Sequence, residues 1–304
     1  MSAETTLTRS DEVMTYYSAT FLERSKEWLI HREGLQKSRK KKGSGMTTLF
    51  NRLTPLAKAT TPLAQGTNPS EVSIGGTTVT VTLAEYGTTV KLSKLLKLTS
   101  IDVDAEEKVE LIGQNMGETL DELARDAMYS GATARLANAK SALSDIAATD
   151  VFDADEVRGT VRQLKKNKAL RYPDGHYLGK IGPDTSYDLM GDSAWTNVNV
   201  YNQGGKAIYN GEVGRLHGSR FVETTNQKSE SSTATVYSNF IHGQKAIGEY
   251  DLEGDMPKLY IKVPNSNSTD NSADRFSTIA WAGSYVAKVL VALWVLNTKS
   301  GASA

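Results

Sequence analysis

Residues 104–130 carry the longest regular pattern in the chain. Apolar side chains recur there every three or four positions, as one face of an α-helix requires: Val109, Ile112, Met116, Leu120, Leu123 and Ala127. Charged residues, Asp121 among them, cover the other positions, and Gly131 is a typical helix stop. At about 1.5 Å per residue this helix is roughly 40 Å long, the breadth of a whole domain. The pattern therefore predicts a core laid along one long helix, with Asp121 on its polar face.

The apolar segment 279–296 is the second strong feature. It is almost long enough to cross a bilayer, but Lys288 lies in its middle, at a cost of about 3 kcal/mol for membrane insertion. Its valines favour buried sheet instead. We expect this segment to pack on the long helix, with residues 150–265 forming an inserted α+β lobe, so that the 304 residues make two lobes.

Composition excludes several classes of protein. The 35 basic residues balance 35 acidic ones, so no overall positive field draws the chain onto nucleic acid. There is no cysteine, which excludes disulfides, thiolate metal sites and thiol nucleophiles, and is typical of a reducing cytoplasm. Residues 1–12 lack the pattern of a secretory signal.

Residues 1–60 are interpreted as an arm. A helix is predicted within residues 10–32, and a basic run follows it, before flexible glycines: Lys37, Arg39, Lys40, Lys41 and Lys42. This run is either a solvated tail or a non-specific anchor for nucleic-acid phosphates, because no base-reading residues accompany it.

Residues 61–100 predict a thin, projecting hairpin. Gly75 and Gly76 form the expected turn between Val72 and Ile74 on one side and Val79, Val81 and Leu83 on the other. Alternating threonines take the opposite face. Because an isolated two-stranded hairpin is marginal, we expect these five apolar residues to contact another molecule.

No recognisable chemistry accompanies these elements. His31, His176, His217 and His242 lack metal-ligand spacing, so we expect surface histidines. The segment around Gly205 and Lys206 lacks the glycine and hydroxyl frame of a phosphate loop, and no nucleophile elbow is present. The sequence therefore predicts no catalytic, cofactor or metal site, and no enzyme.

The order of these elements resembles the major capsid proteins of tailed bacteriophages, which have the Hong Kong 97-type fold. The segments 62–69 (PLAQGTNP), 79–87 (VTVTLAEYG), 181–184 (IGPD) and 210–226 (NGEVGRLHGSRFVETTN) are similar to those of the N-four-like phage capsids. The resemblance implies an α+β fold with an N-terminal arm (1–60), an extended loop (61–100), a peripheral domain with a spine helix (101–150), an axial domain (151–265) and a return to the peripheral domain (266–304).

The same resemblance implies a function and its partners. The subunit would assemble into hexamers and pentamers of an icosahedral head around double-stranded DNA, with portal and scaffolding or decoration proteins as partners, and no membrane. It would lie in the virion capsid after assembly in the host cytoplasm.

Two alternatives remain open at this point. One is an encapsulin-like compartment shell with an enzyme cargo. The other is a β-rich module that binds glycans or cells through Trp195, Tyr201, Tyr209 and Tyr237.

Overall fold

A computed structural model describes residues 6–26, 29–43, 45–54, 56–63, 65–66, 68–93, 105–195, 212–262 and 275–303. The α-helices in this part of the chain are α1 (Thr6–Lys26), α2 (Ala105–Gly131), α3 (Ala154–Lys166) and α4 (Pro183–Gly191). The strands are β1 (Gln36–Lys40), β2 (Thr47–Leu53), β3 (Gly76–Thr82), β4 (Ala84–Ser93), β5 (Thr133–Leu136), β6 (Tyr177–Ile181), β7 (Glu212–Leu216), β8 (Ser219–Glu223), β9 (Ser229–Ser231), β10 (Thr235–His242), β11 (Ile247–Leu252), β12 (Lys258–Lys262), β13 (Phe276–Val289) and β14 (Val295–Ser300).

The first lobe is a five-stranded sheet backed by α1 and α2. Its order is β1-β11-β13-β12, and β4 pairs with β13. The predicted stripe of α2 packs on this sheet: Val109, Ile112, Met116 and Leu120 share one core cluster with Trp281 of β13. The long helix and its packing against the C-terminal strand are thus confirmed.

The second lobe is a seven-stranded sheet with α3 and α4. Its order is β5-β14-β10-β6-β8-β7, with β9 on β10. Asp153 caps α3 by accepting a hydrogen bond of 2.8 Å from the Glu156 amide, as the sequence indicates. Val157, Val161 and Leu164 then face a separate core around Phe221.

The C-terminal segment joins the two lobes. β13 is an inner strand of the first sheet, and β14 lies between β5 and β10 in the second. A short 3₁₀ turn, Ala292–Trp294, is the only structure between them. Within the described residues no helix is both long and apolar enough to cross a bilayer.

The two long helices approach each other closely at a glycine. A Cβ atom on Gly113 of α2 would lie 2.7 Å from the backbone oxygen of Phe21 in α1. The side chain of Phe21 is itself part of the first core. A residue without a side chain is therefore needed at this crossing.

Two expectations about polar residues are wrong. Lys37, Arg39 and Lys40 are not on a flexible tail: they lie in β1, which pairs in parallel with β11, because β11 offers an edge whose amides and carbonyls need partners. Likewise His31, His242 and Asp121 are buried rather than at the surface, and His31 pairs with Asp121.

Candidate assembly surface

A two-stranded hairpin lies against the first lobe, but its strands differ from those predicted. β3 pairs antiparallel with β2, with Phe50 opposite Val79, while residues 68–75 form no strand. Backbone hydrogen bonds from Thr54 to Gly75 and from Leu83 to Met46 close its two ends. The expected glycine turn is wrong because residues 47–53 alternate like a strand and lie close enough to supply a longer partner.

The inner face of this hairpin packs on its own subunit. The ring of Phe50 lies 4.3 Å from the ring of Tyr250 in β11, over Gly248, where an added Cβ would meet Phe50 at 2.5 Å. Val81 and Leu83 are also buried. The inner face is therefore not the surface that contacts a second molecule.

The outer face of the hairpin and its loop carry several large exposed apolar side chains among polar ones. Residues opposite each other across an antiparallel pair share a face, so Leu49 and Leu53 lie with Thr78 and Thr80 on the outer side. The large exposed apolar side chains of the hairpin and its loop are Leu49, Leu53, Leu56, Leu63, Val72 and Ile74. We define these six residues as the outer apolar surface.

Of the five predicted contact residues, the structure leaves two exposed. Val72 is 61% and Ile74 66% exposed, whereas Val79 is half-buried and lines a groove of about 380 Å³ between the hairpin and the second lobe. Across this groove, the Arg52 guanidinium lies 4.9 Å from the ring centre of Trp294. Leu49 and Leu53 are exposed as well, and their alternation with Phe50 was a usable sequence signal for a strand at residues 47–53.

The basic run is divided between buried and exposed positions. The side chain of Lys40 is buried and its Nζ donates to the Thr47 carbonyl, so this lysine does not reach outward. Lys37 and Arg39 alternate with it along β1 and are exposed, as are Lys41 and Lys42. Only part of the predicted phosphate-binding set is thus accessible.

Carboxylates on β11 partly neutralise this basic strand. The Nζ of Lys37 lies 4.0 Å from Oε1 of the buried Glu249. Burial raises the pKa of Asp251, while Arg32, Arg39 and Lys37 act in the opposite direction. Among the described residues, no three metal-ligating side chains lie together.

The comparisons with known proteins agree on one fold. No protein-family model and no curated protein matches the sequence. Solved structures do match. The capsid of Ralstonia phage GP4 has a TM-score of 0.70 at 12% identity, covering 90% of this chain and 91% of that one.

Two cyanophage structures are also similar. The capsid of cyanophage P-SCSP1u has a TM-score of 0.66 at 14% identity, covering 90% of this chain and 89% of that one. The capsid of cyanophage Pam1 has a TM-score of 0.64 at 17% identity, and 92% of both chains is covered. The chain therefore has the α+β fold of phage capsid proteins, which confirms the predicted fold class.

Proposed function

We propose that this chain is the major capsid protein of a tailed bacteriophage, a structural subunit without catalytic activity. It assembles into hexamers and pentamers of an icosahedral head that encloses double-stranded DNA. The observation that carries the proposal is the match to phage capsid structures over about nine-tenths of the chain. Portal, scaffolding and decoration proteins are the further partners of such a head, assembled in the host cytoplasm.

The outer apolar surface supports self-assembly. A soluble protein seldom leaves several large apolar side chains exposed on one hairpin and its loop unless another molecule covers them. We infer that Leu49, Leu53, Val72 and Ile74 pack against a neighbouring subunit. The inner face then anchors the hairpin to its own subunit through Phe50 and Val81.

The exposed members of the basic run support a contact with packaged DNA. Lys37, Arg39, Lys41 and Lys42 lie at or just beyond the edge strand β1. We infer that they touch phosphates without reading sequence. Their replacement by serine would weaken DNA retention and flatten its salt dependence; unchanged retention across a salt series would remove this role.

Neither alternative gains support from the described residues. Trp195, the first aromatic residue of the glycan-binding alternative, is buried and packs beside Gly214 and Phe221 instead of forming an open platform. Tyr201 and Tyr209 lie outside the described residues. An encapsulin-like shell would differ from a phage head in its contents.

The test is negative-stain electron microscopy of the purified protein, beside the double variant Leu49→Ser, Leu53→Ser. Wild type should form closed shells. The double variant should keep the circular dichroism and melting curve of wild type but remain as monomers or capsomers.

The matched control is Leu111→Ser, an exposed leucine on α2, which should still form shells. A wild-type protein that stays monomeric, or shells that form equally well in the double variant, would contradict the corresponding part of the proposal. Shells recovered from infected cells with protein cargo and no genomic DNA would favour the compartment alternative.

A further inference from the structure

Four of the residues between α1 and β1, residues 31–34, contact both lobes. The backbone amide and Nδ1 of His31 donate to the two carboxylate oxygens of Asp121 in α2, at 2.5 and 2.6 Å. The carbonyl of the same residue accepts a hydrogen bond of 2.5 Å from Nζ of Lys180 in β6. One buried residue thus joins the long helix of the first lobe to the sheet of the second.

The next two residues, Arg32 and Glu33, also contact one lobe each. The Nε of Arg32 donates to Oε2 of Glu249 in β11 at 2.8 Å, and its guanidinium lies 4.8 Å from the ring centre of Tyr285. Glu33 accepts a hydrogen bond of 2.5 Å from Arg220 in β8. Arg32 therefore binds the first lobe and Glu33 the second.

Gly34 completes the set through its backbone. Its carbonyl accepts a hydrogen bond of 2.7 Å from the hydroxyl of Tyr172, whose oxygen lies 3.2 Å from Nδ1 of His242. A Cβ on Gly34 would meet that hydroxyl at 2.5 Å, so the fit admits only glycine. His242 is fully buried, and among the described residues its Nε2 has no hydrogen-bond partner.

We propose that residues 31–34 are a clasp that fixes the second lobe against the first and opens in acid, with His242 as the group whose protonation opens it. The clasp belongs to the single subunit, so it goes beyond the proposed role in a shell.

The charges around His242 explain why the clasp should open in acid. Burial, then Lys180, then His31 lower its pKa well below the usual range, and the Gly243 carbonyl only partly offsets them. The carboxylates that act on Lys180 are Asp121, Glu33 and Glu249, and Glu33 and Asp174 act on Tyr172 beside His242. The charges that shift the pKa of His242 itself are Lys180 and His31. A proton on the buried imidazole is therefore opposed by the charge of Lys180, and Nε2, the ring nitrogen without a hydrogen-bond partner among the described residues, has no acceptor for it.

A positive charge on the second histidine, His31, is better compensated, because a carboxylate lies beside its ring. Burial lowers the pKa of His31 too, and Lys180 and Arg125 act in the same direction, but Asp121 opposes them through a hydrogen bond and its charge. The net pKa of His31 is still lowered, but the Asp121 carboxylate beside Nδ1 makes a proton there less costly than on His242. His242 can accept a proton only by moving toward water, which withdraws it from Tyr172 and removes the support of the bond to Gly34.

The test is hydrogen exchange of the full-length protein, followed by mass spectrometry from about pH 7.5 to about pH 5 with correction for intrinsic exchange. Amides of residues 31–36 should open about tenfold more for each pH unit below about 6.5, as one linked proton requires. The amides of α3 should show no such change. His242→Phe, which keeps a ring beside Tyr172, should remove the dependence.

The matched control is His217→Phe, because His217 is exposed and lies at the turn between β7 and β8. It should behave like wild type. A wild-type clasp that stays closed down to the pH of global unfolding, or the same pH dependence in His242→Phe, would overturn the proposal.

Tyr172→Phe is a second variant, needed if His242→Phe does not fold. It removes only the hydroxyl between His242 and Gly34, so residues 31–36 should already be less protected at about pH 7.5. Wild-type protection and pH dependence in this variant would contradict the coupling. Because exchange is measured on unassembled subunits, failure here is distinct from failure to form shells.

Discussion

Nε1 of Trp281 donates a hydrogen bond of 2.9 Å to Oδ1 of Asn115. This contact joins the middle of β13 to α2 inside an otherwise apolar seam, and Trp281 is 1% exposed. A tryptophan that is buried among aliphatic side chains needs such an acceptor, because its N–H cannot reach water.

Asn115→Ala should therefore destabilise the protein by about 1 to 3 kcal/mol, since it leaves the Trp281 N–H buried without a partner. The neighbouring Gln114→Ala should cost less than about 0.5 kcal/mol, because Gln114 is partly exposed and bonds only Glu118. Chemical denaturation followed by tryptophan fluorescence measures both. Equal losses would mean that the hydrogen bond does not hold the seam.

Three successive positions on α2 should respond differently. Leu120→Asp should abolish folding, because it buries an unpaired charge in the first core. Asp121→Ala should cost about 3 to 5 kcal/mol, since it leaves His31 and the nearby Lys180 without their carboxylate.

The control for this series is Glu122→Ala. Its carboxylate is largely exposed and pairs with Arg125, so the loss should stay below about 1 kcal/mol. Thermal melts of the three variants decide the order. A mild effect of Asp121→Ala, as the sequence pattern alone would suggest, would contradict the buried pair.

Lys180 should make stability depend on pH above neutrality. Burial lowers its pKa to about 7, while Asp121, Glu33 and Glu249 oppose the shift. Above about pH 7 the folded chain has lost this proton and the unfolded chain keeps it, so the free energy of unfolding should rise with pH. The slope is about 1.4 kcal/mol per pH unit between about pH 7 and pH 9.

Lys180→Met should flatten that slope, and Lys165→Met, at an exposed site of α3, should not. Urea unfolding at several pH values measures the slope directly. The raised pKa values of Tyr172 and Tyr285 do not interfere, because an unperturbed tyrosine ionises only near pH 10. A flat wild-type profile would contradict a neutral Lys180.

Gly113→Ala should loosen α1 from α2. The added methyl group meets the backbone oxygen of Phe21, which cannot move without the helix. Tryptic cleavage at Arg24 and Lys26 should become faster, with little change elsewhere. Gly191→Ala, where nothing lies within 4 Å of the added Cβ, is the matched helical control and should cut like wild type. Equal cleavage rates would mean that the helices tolerate a wider crossing.

The long helix and the C-terminal strand were predictable because their patterns are long. Six apolar positions at helical spacing fix both the type and the buried face of α2, and this needs no knowledge of its neighbours. The helix cap at Asp153 was predictable too, because an N-cap depends only on the residue itself and the first turn that follows it. The resemblance in short segments then indicated the fold class that the solved capsid structures confirm.

The hairpin pairing and the buried ion pair were not predictable in this way. β2 is separated from β3 by a long loop, so local turn chemistry favoured the nearer glycines. Asp121 occupies an ordinary polar position of α2, and it is buried by contacts with the distant His31 and Asn226. Both features depend on contacts between distant parts of the chain, which periodicity does not report.

The position of β13 and β14 has a consequence for biosynthesis. β4, β11 and β12 all pair with β13, and β5 and β10 with β14. While the ribosome is still translating residues 276–300, those of these strands that have already left it have unpaired edges, which are prone to pair with other nascent chains. Neither lobe can complete its sheet before β13 and β14 have emerged, so each new chain must stay apart from its siblings until then.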